Sequence, residues 1–352
     1  MMRCVFDGHN DVLLRLLQSG GRTACESFLT GRDDALDLPK AQKGGFAGGF
    51  FAHFVPSATD LDDKLSAMSA PQYDLELPDP IDWEDAVAVV MEQAAILLDL
   101  ERLGAVKIVR SVADIHTAME QGKIAAIFHI EGAEAIDADL HSLDLFHAAG
   151  LRSLGPVWSR PTIFGEGVPF RFPSNGDIGA GLTGHGKRLI RRCNALGILV
   201  DLSHLNEAGF WDVARLSDAP LVATHSNAYA VTPHSRNLTD DQLRAIADSD
   251  GMVGLNFATA FLRDDGKMDA ATPISQMLVH LDHMIEILGE DRVGLGSDYD
   301  GAMVPEALTT VADLPHLTEA MTAHGYDAAL IDKICHKNWL RVLAKTWGEP
   351  AR

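Results

Sequence analysis

A chain of 352 residues, 47% of them hydrophobic, is long enough to bury one large core. Its formal net charge of -21 repels nucleic acid and anionic lipid, and no apolar run reaches the roughly 18 residues of a membrane span. Cys4, Cys25, Cys193 and Cys335 are scattered with no C-x-x-C spacing, which argues against a disulfide framework and against a thiolate metal site.

The first apolar run, residues 3–9 (RCVFDGH), reads as a strand that begins almost at the first residue. No basic, apolar and small-residue leader precedes it, so a cytoplasmic location is expected. His9 and Asp11 stand where that run stops, and with only Asn10 between them extended backbone turns both side chains to one side. A second strand is expected over 46–55 (FAGGFFAHFV), followed by an acidic, proline-bearing loop over 56–81 with one helical turn. Asp82 opens a helix over 83–103 that Gly104 closes. The run 124–130 (IAAIFHI) reads as a strand leading to Glu131, and 151–157 as another. The Gly- and Pro-rich stretch 159–184 is the second long loop. A helix over 186–196 ends at Gly197, and strands over 198–203 and 220–225 lead to His204 and His225. Thr239 with Gln242 forms a capping box opening 240–249, with Gly251 just beyond. A strand over 252–257, a helix over about 273–288, a strand over 293–298 and a terminal helix over 327–347 complete the chain.

Eight strands alternating with helices predict one (β/α)₈ (TIM) barrel domain spanning residues 1–352. A doubly wound sheet is the rival, but no Gly-x-Gly-x-x-Gly follows the first strand. On a barrel both long loops overhang the catalytic face, where loops beyond about 15 residues tend to be functional.

The barrel also gathers the polar strand ends. His9, Asp11, Glu131, His204, His225 and Asp298 all fall at the carboxyl ends of predicted strands, which closes them into one ring. Three imidazoles with carboxylates and no thiolate suit zinc or a similar divalent metal. Six groups exceed the needs of one tetrahedral ion, and a carboxylate between two histidine-bearing halves can bridge two.

The stretches DGHND at 7–11, IEGAEAID at 130–137, GILVDLSH at 197–204, THSNAYAVTPHSRNLTDDQL at 224–243 and VGLGSDYDG at 293–301 carry a resemblance. They are similar to those of the membrane (renal) dipeptidases, peptidase family M19 of the amidohydrolase-like barrels, and run in that family's order along nearly the whole chain. The resemblance implies two Zn²⁺ per chain, with His9 and Asp11 on one, His204 and His225 on the other, and Glu131 bridging. It further implies Asp298 as the proton-handling acid/base, Arg236 as the clamp on a dipeptide's terminal carboxylate, and a homodimer. One departure stands out. Mammalian members carry a histidine after the fourth strand, where SLGPVWSRP here puts Trp158. The hydrolytic core therefore carries over while the substrate preference does not, and Trp158 is expected to line the substrate pocket.

Two other functions stay open at this point. The same metals would serve hydrolysis of N-acyl amino acids or lactones, and the 158–183 loop would decide. A non-catalytic metal-binding protein is the reading from another class, and the proton shuttle Asp298 counts against it. Among the remaining histidines, His53 and His129 are expected in the interior, His280 and His283 in a rim or surface role, and His185 and His234 in loops near the mouth. Asn227 and Tyr229 are expected to shape the turn after His225.

Overall fold

The computed structural model describes residues 3–57 and 66–348. Eleven strands appear among them: β1 (Val5–Asn10), β2 (Phe46–Phe54), β3 (Tyr73–Asp74), β4 (Val106–Ile108), β5 (Ile124–Glu131), β6 (Leu151–Leu154), β7 (Arg171–Phe172), β8 (Leu199–Val200), β9 (Val222–Ala223), β10 (Met252–Asn256) and β11 (Val293–Gly296). Eight of these lie side by side in the order β8-β6-β5-β2-β1-β11-β10-β9, every pairing parallel. Asp201 bridges to Val222 and brings the two ends of the row together. The result is the expected parallel barrel with its helices outside.

Three departures from the sequence reading have local causes. β4 was not expected: VKI is too short to show a period, and it earns its strand conformation by pairing with the start of β5. The strands before His204 and His225 are only two residues long, because the chain bends out of the ladder to present those side chains. The terminal helix is two helices, Ala328–Asp332 and Asn338–Thr346, joined by a wider π-type turn over Lys333–Lys337. The capping box at Thr239 is present as expected, as is the helix Trp83–Arg102 after Asp82.

The described part of the first long loop packs against the second. After the segment 58–65, which lies outside the described residues, a single turn at Ser66–Ser69 leads into β3, and β3 pairs antiparallel with β7. This small ribbon packs Met68, Tyr73 and Phe172 on Ala258, Ala260 and Phe261, forming an apolar roof beside the strand ends.

Inside the barrel the packing is set by one indole. Trp339, from the last helix, is fully buried and donates its Nε1–H to the Leu295 carbonyl at 2.9 Å. A Cβ at Gly8, Gly254 or Gly294 would stand 2.6, 3.0 or 2.8 Å from that ring system, so three strands give up side chains where the indole enters. Phe6, Phe50, Ile127, Leu199, Val222 and Met252 complete the layer around it. Among the described residues no helix is long and apolar enough to cross a membrane. Because the strand glycines leave a hole that other side chains cannot fill, Trp339→Ala should cost about 3–5 kcal/mol of stability. Urea denaturation monitored by circular dichroism would measure it; a loss near zero would mean that the indole does not hold the barrel interior.

Candidate active site

Above the Trp339 layer the barrel interior turns polar. β1 delivers His9 and then Asp11, and β5 delivers Glu131 as its last residue. The short strands β8 and β9 release His204 and His225, and β11 releases Asp298. All six groups predicted from the sequence thus meet at one end of the barrel, where Asp11, Glu131, His204 and Asp298 line a cavity of about 570 Å³.

Glu131 sits at the centre. Its Oε1 lies 3.0 Å from His204 Nε2 and 3.5 Å from His225 Nε2. Its Oε2 lies 3.4 Å from His9 Nε2, which is itself 3.4 Å from Asp11 Oδ2. The Nε2 atoms of His204 and His225 face each other at 3.1 Å. Ligand-type atoms of His9, Glu131 and His225, and separately of His9, Asp11 and Asp298, fall within 4.8 Å of one another.

The outer bonds of the two later histidines turn their Nε2 lone pairs inward. Thr224 Oγ1 donates to Asp201 Oδ2 at 2.6 Å, which uses its single proton. The 2.8 Å contact between Thr224 Oγ1 and His225 Nδ1 must therefore be donated by the imidazole, leaving His225 Nε2 unprotonated. His204 Nδ1 has a comparable partner in Ser159 Oγ at 2.9 Å. His9 is different, for both of its ring nitrogens are buried without a hydrogen-bond partner. Orphaned imidazole nitrogens beside desolvated carboxylates are the donor set a divalent metal requires, so the residues fit such an ion.

The electrostatics point the same way. Burial alone would discharge His9, but Glu131 and Asp11 outweigh it and hold its pKa well above the ordinary imidazole value. Burial raises the Glu131 carboxyl to about 7 despite the neighbouring His9, and it raises Asp298 as well. His204 and His225 are pushed well below the ordinary value, first by burial and then by the positive charges of Arg236 and His9.

Asp298 adopts a left-handed backbone, φ 61°, and accepts the Asn256 side-chain amide on Oδ2 at 2.9 Å. Its Oδ1 faces the Cα of Gly301, where a Cβ would run into both Asp298 and Asp11. Arg236 lies in the floor rather than among the cavity-lining residues. Its terminal nitrogens donate to the Ser203 and His225 carbonyls, its Nε has no partner, and its guanidinium carbon is 5.4 Å from the Phe261 ring centre. Trp158 lines the cavity, its ring 5.7 Å from His204 and 5.0 Å from Phe54.

Ser159, Asp201, Thr224, Asn256 and Gly301 were missed from sequence. A polar residue at a strand end was the available signal for Asn256, which closes MVGLN at the same level as the ligands. His53 and His129 are interior, as expected: His53 Nδ1 donates toward the Phe51 and His129 carbonyls at 3.1 and 3.0 Å, and His129 Nδ1 meets Ser153 Oγ at 2.9 Å. His280 corrects its expectation of a rim or surface role. It is fully buried and accepts the Ala228 N–H, because the 228–232 turn covers its helix face. His283 pairs with Asp240, His185 is exposed beside Arg188, and His234 is buried under Tyr73, Phe172 and Phe261.

Comparison with known proteins gives the family of the chain. The family model for membrane dipeptidase (peptidase family M19) matches residues 2–348. A Rhodobacter sphaeroides metallo peptidase, solved with a phosphinate mimic of the dipeptide L-Ala-D-Ala, is 54% identical and superposes with a TM-score of 0.96 over 99% of this chain and 100% of that one. The dipeptidase AC, a metallo peptidase of family M19, is 55% identical with a TM-score of 0.95 over 99% of this chain and 100% of its own. An uncharacterized Klebsiella pneumoniae protein from the pqqA 5′ region is 48% identical over 267 residues, 75% of this chain and 98% of that protein. The chain belongs to the membrane dipeptidase family, peptidase family M19, and is a metallo-dipeptidase.

Proposed function

We propose that this dipeptidase works with two ions, zinc in the native enzyme, at a site where Glu131 serves both. His9 and Asp11 would hold one ion, and His204 and His225 the other. The observation that carries this reading is the placement of Glu131, whose Oε1 faces His204 and His225 while its Oε2 faces His9. Imidazole and carboxylate donors without thiolate favour zinc. The dipeptide mimic bound to the Rhodobacter sphaeroides relative supports a dipeptide as the substrate.

When bound, divalent ions at such a site supply a Lewis acid for the scissile carbonyl and lower the pKa of water. The rest of the chemistry falls to the chain. Asp298, anchored through Asn256 on Oδ2 and grouped with His9 and Asp11 within 4.8 Å, takes the proton of the attacking water and returns it to the leaving nitrogen. Arg236, its terminal nitrogens engaged by the Ser203 and His225 carbonyls, contributes positive charge from beneath the cavity, which favours the substrate's terminal carboxylate. Trp158 forms part of the side wall and bears on which side chains fit. The apolar roof of Met68 and Phe261 limits the reach of longer peptides.

Three measurements test this reading. Elemental analysis of the active protein should find about two divalent ions per chain, and Glu131→Gln should lower metal content and dipeptide turnover together. One ion per chain in fully active enzyme would rule out the bridging role. Asp298→Asn should retain the metals while lowering kcat by about 10²–10⁴. Near-normal turnover in that metal-replete variant would remove Asp298 from proton transfer. Trp158→Ala should change the ranking of dipeptides more than the best kcat. A uniform fall that leaves the ranking intact would make Trp158 a structural pillar or an oxyanion donor instead.

A further inference from the structure

The wall that Trp158 forms has a buried cation behind it. Arg160 is fully buried, and each part of its guanidinium fork is used. Nε donates to Glu134 Oε1, one terminal nitrogen to Ser57 Oγ and the other to the Val55 carbonyl, all at 2.8 Å. The same guanidinium lies 5.8 Å from the Phe54 ring centre and 5.6 Å from that of Trp158. Phe54 and Trp158 meet edge to face at 5.0 Å, and both line the cavity. Phe170 continues the wall 5.8 Å from Trp158.

Three separate segments therefore close on one side chain: the exit of β2, the turn after Glu131 and the loop after β6. A buried ion pair is a weak source of net stability, whereas a planar fork with all three nitrogens engaged fixes orientation. Phe54 and Trp158 both lie against that fork, so its fixed orientation sets the surface they pack on. Phe54, Trp158 and Phe170 give this side of the cavity an apolar face, which Phe170 continues into the Phe261 roof, while the carboxylates Asp11, Asp298 and Asp300 lie among the other lining residues.

We propose that Arg160 is a specificity-positioning residue, which holds Phe54 and Trp158 as a rigid wall for an apolar substrate side chain. The enzyme then prefers dipeptides carrying a bulky apolar residue over their glycine counterparts. This rests on the reading that dipeptides occupy the cavity beside the metal ligands. Arg160 itself touches neither substrate nor ligand atoms. It acts through the two rings.

The test is a dipeptide panel in which glycine is replaced by leucine or phenylalanine at either position, run on holoenzyme. Arg160→Lys keeps a charge for Glu134 but loses the planar fork. Arg160→Met in an E134Q background removes both charges together, so that no buried carboxylate is stranded. In both variants the advantage of apolar dipeptides over glycine analogues should fall about tenfold, through KM, with kcat on the smallest dipeptide within about threefold and metal content unchanged. Tryptophan emission of the holoenzyme should shift with Arg160→Lys and not when Trp158→Phe is already present. A uniform loss of kcat/KM across the panel, or an unchanged ranking in both variants, would overturn the proposal. A wild type that turns over dipeptides without preference would overturn it too, leaving the dipeptidase reading intact. A wild type that turns over no dipeptide would sink that reading instead, and emission indifferent to Arg160→Lys would then overturn the positioning role independently.

Discussion

Everything at the mouth of this barrel follows from burying carboxylates among imidazoles, two of which, His204 and His225, are held neutral. Deeper in the interior, Asp201 and Asp7 are satisfied by donors. Asp201 accepts from the backbone N–H and hydroxyl of both Ser203 and Thr224, and Asp7 from the backbone and hydroxyl of Ser297. Glu131 instead faces nitrogens, and the outer hydrogen bonds of His225 leave its inward nitrogen without a proton. Such a cluster is costly in a low dielectric unless positive charge enters it. Metal dependence is thus built into the electrostatics of the fold.

The barrel makes that arrangement possible by dividing its interior. Below, glycines on three strands admit Trp339 and the space is filled with rings and aliphatic chains. Above, the parallel strands all end on the same side, so each contributes its last residue to one small volume. Two-residue strands such as β8 and β9 look like weak structure, yet they let His204 and His225 leave the ladder at the right height. The hydroxyls and carboxylate that orient these ligands sit on neighbouring strand ends, held by the same pairing.

The roof has a different origin. Its apolar cluster joins residues from the first long loop, the second long loop and the segment after β10, three regions far apart in sequence. Arg160 performs the analogous joining on the opposite side of Trp158, again across three segments. The metal-ligand candidates come from strand ends, whereas most of the wall and roof comes from loops. The reaction and its selectivity are therefore carried by separate parts of the chain.

Much of this was legible in the amino-acid sequence, for a physical reason. Strands and helices have short periods, and a polar residue at the end of an apolar run announces itself locally; hence the barrel, and the gathering of His9, Asp11, Glu131, His204, His225 and Asp298 at one end. The capping box at Thr239 was readable in the same way. Tertiary structure alone decided the remainder. A three-residue strand such as β4 has no period to detect. His280 and His283, one turn apart on a helix, look equivalent until the 228–232 turn buries the first and leaves the second half-exposed. Arg160 reads as an ordinary loop arginine, and only folding brings it between Glu134, Ser57 and Val55. The sequence by itself determined which polar residues follow the apolar runs; where each strand stops, and which distant side chains meet those residues, depended on pairing and on how loops with no periodicity of their own close over the barrel.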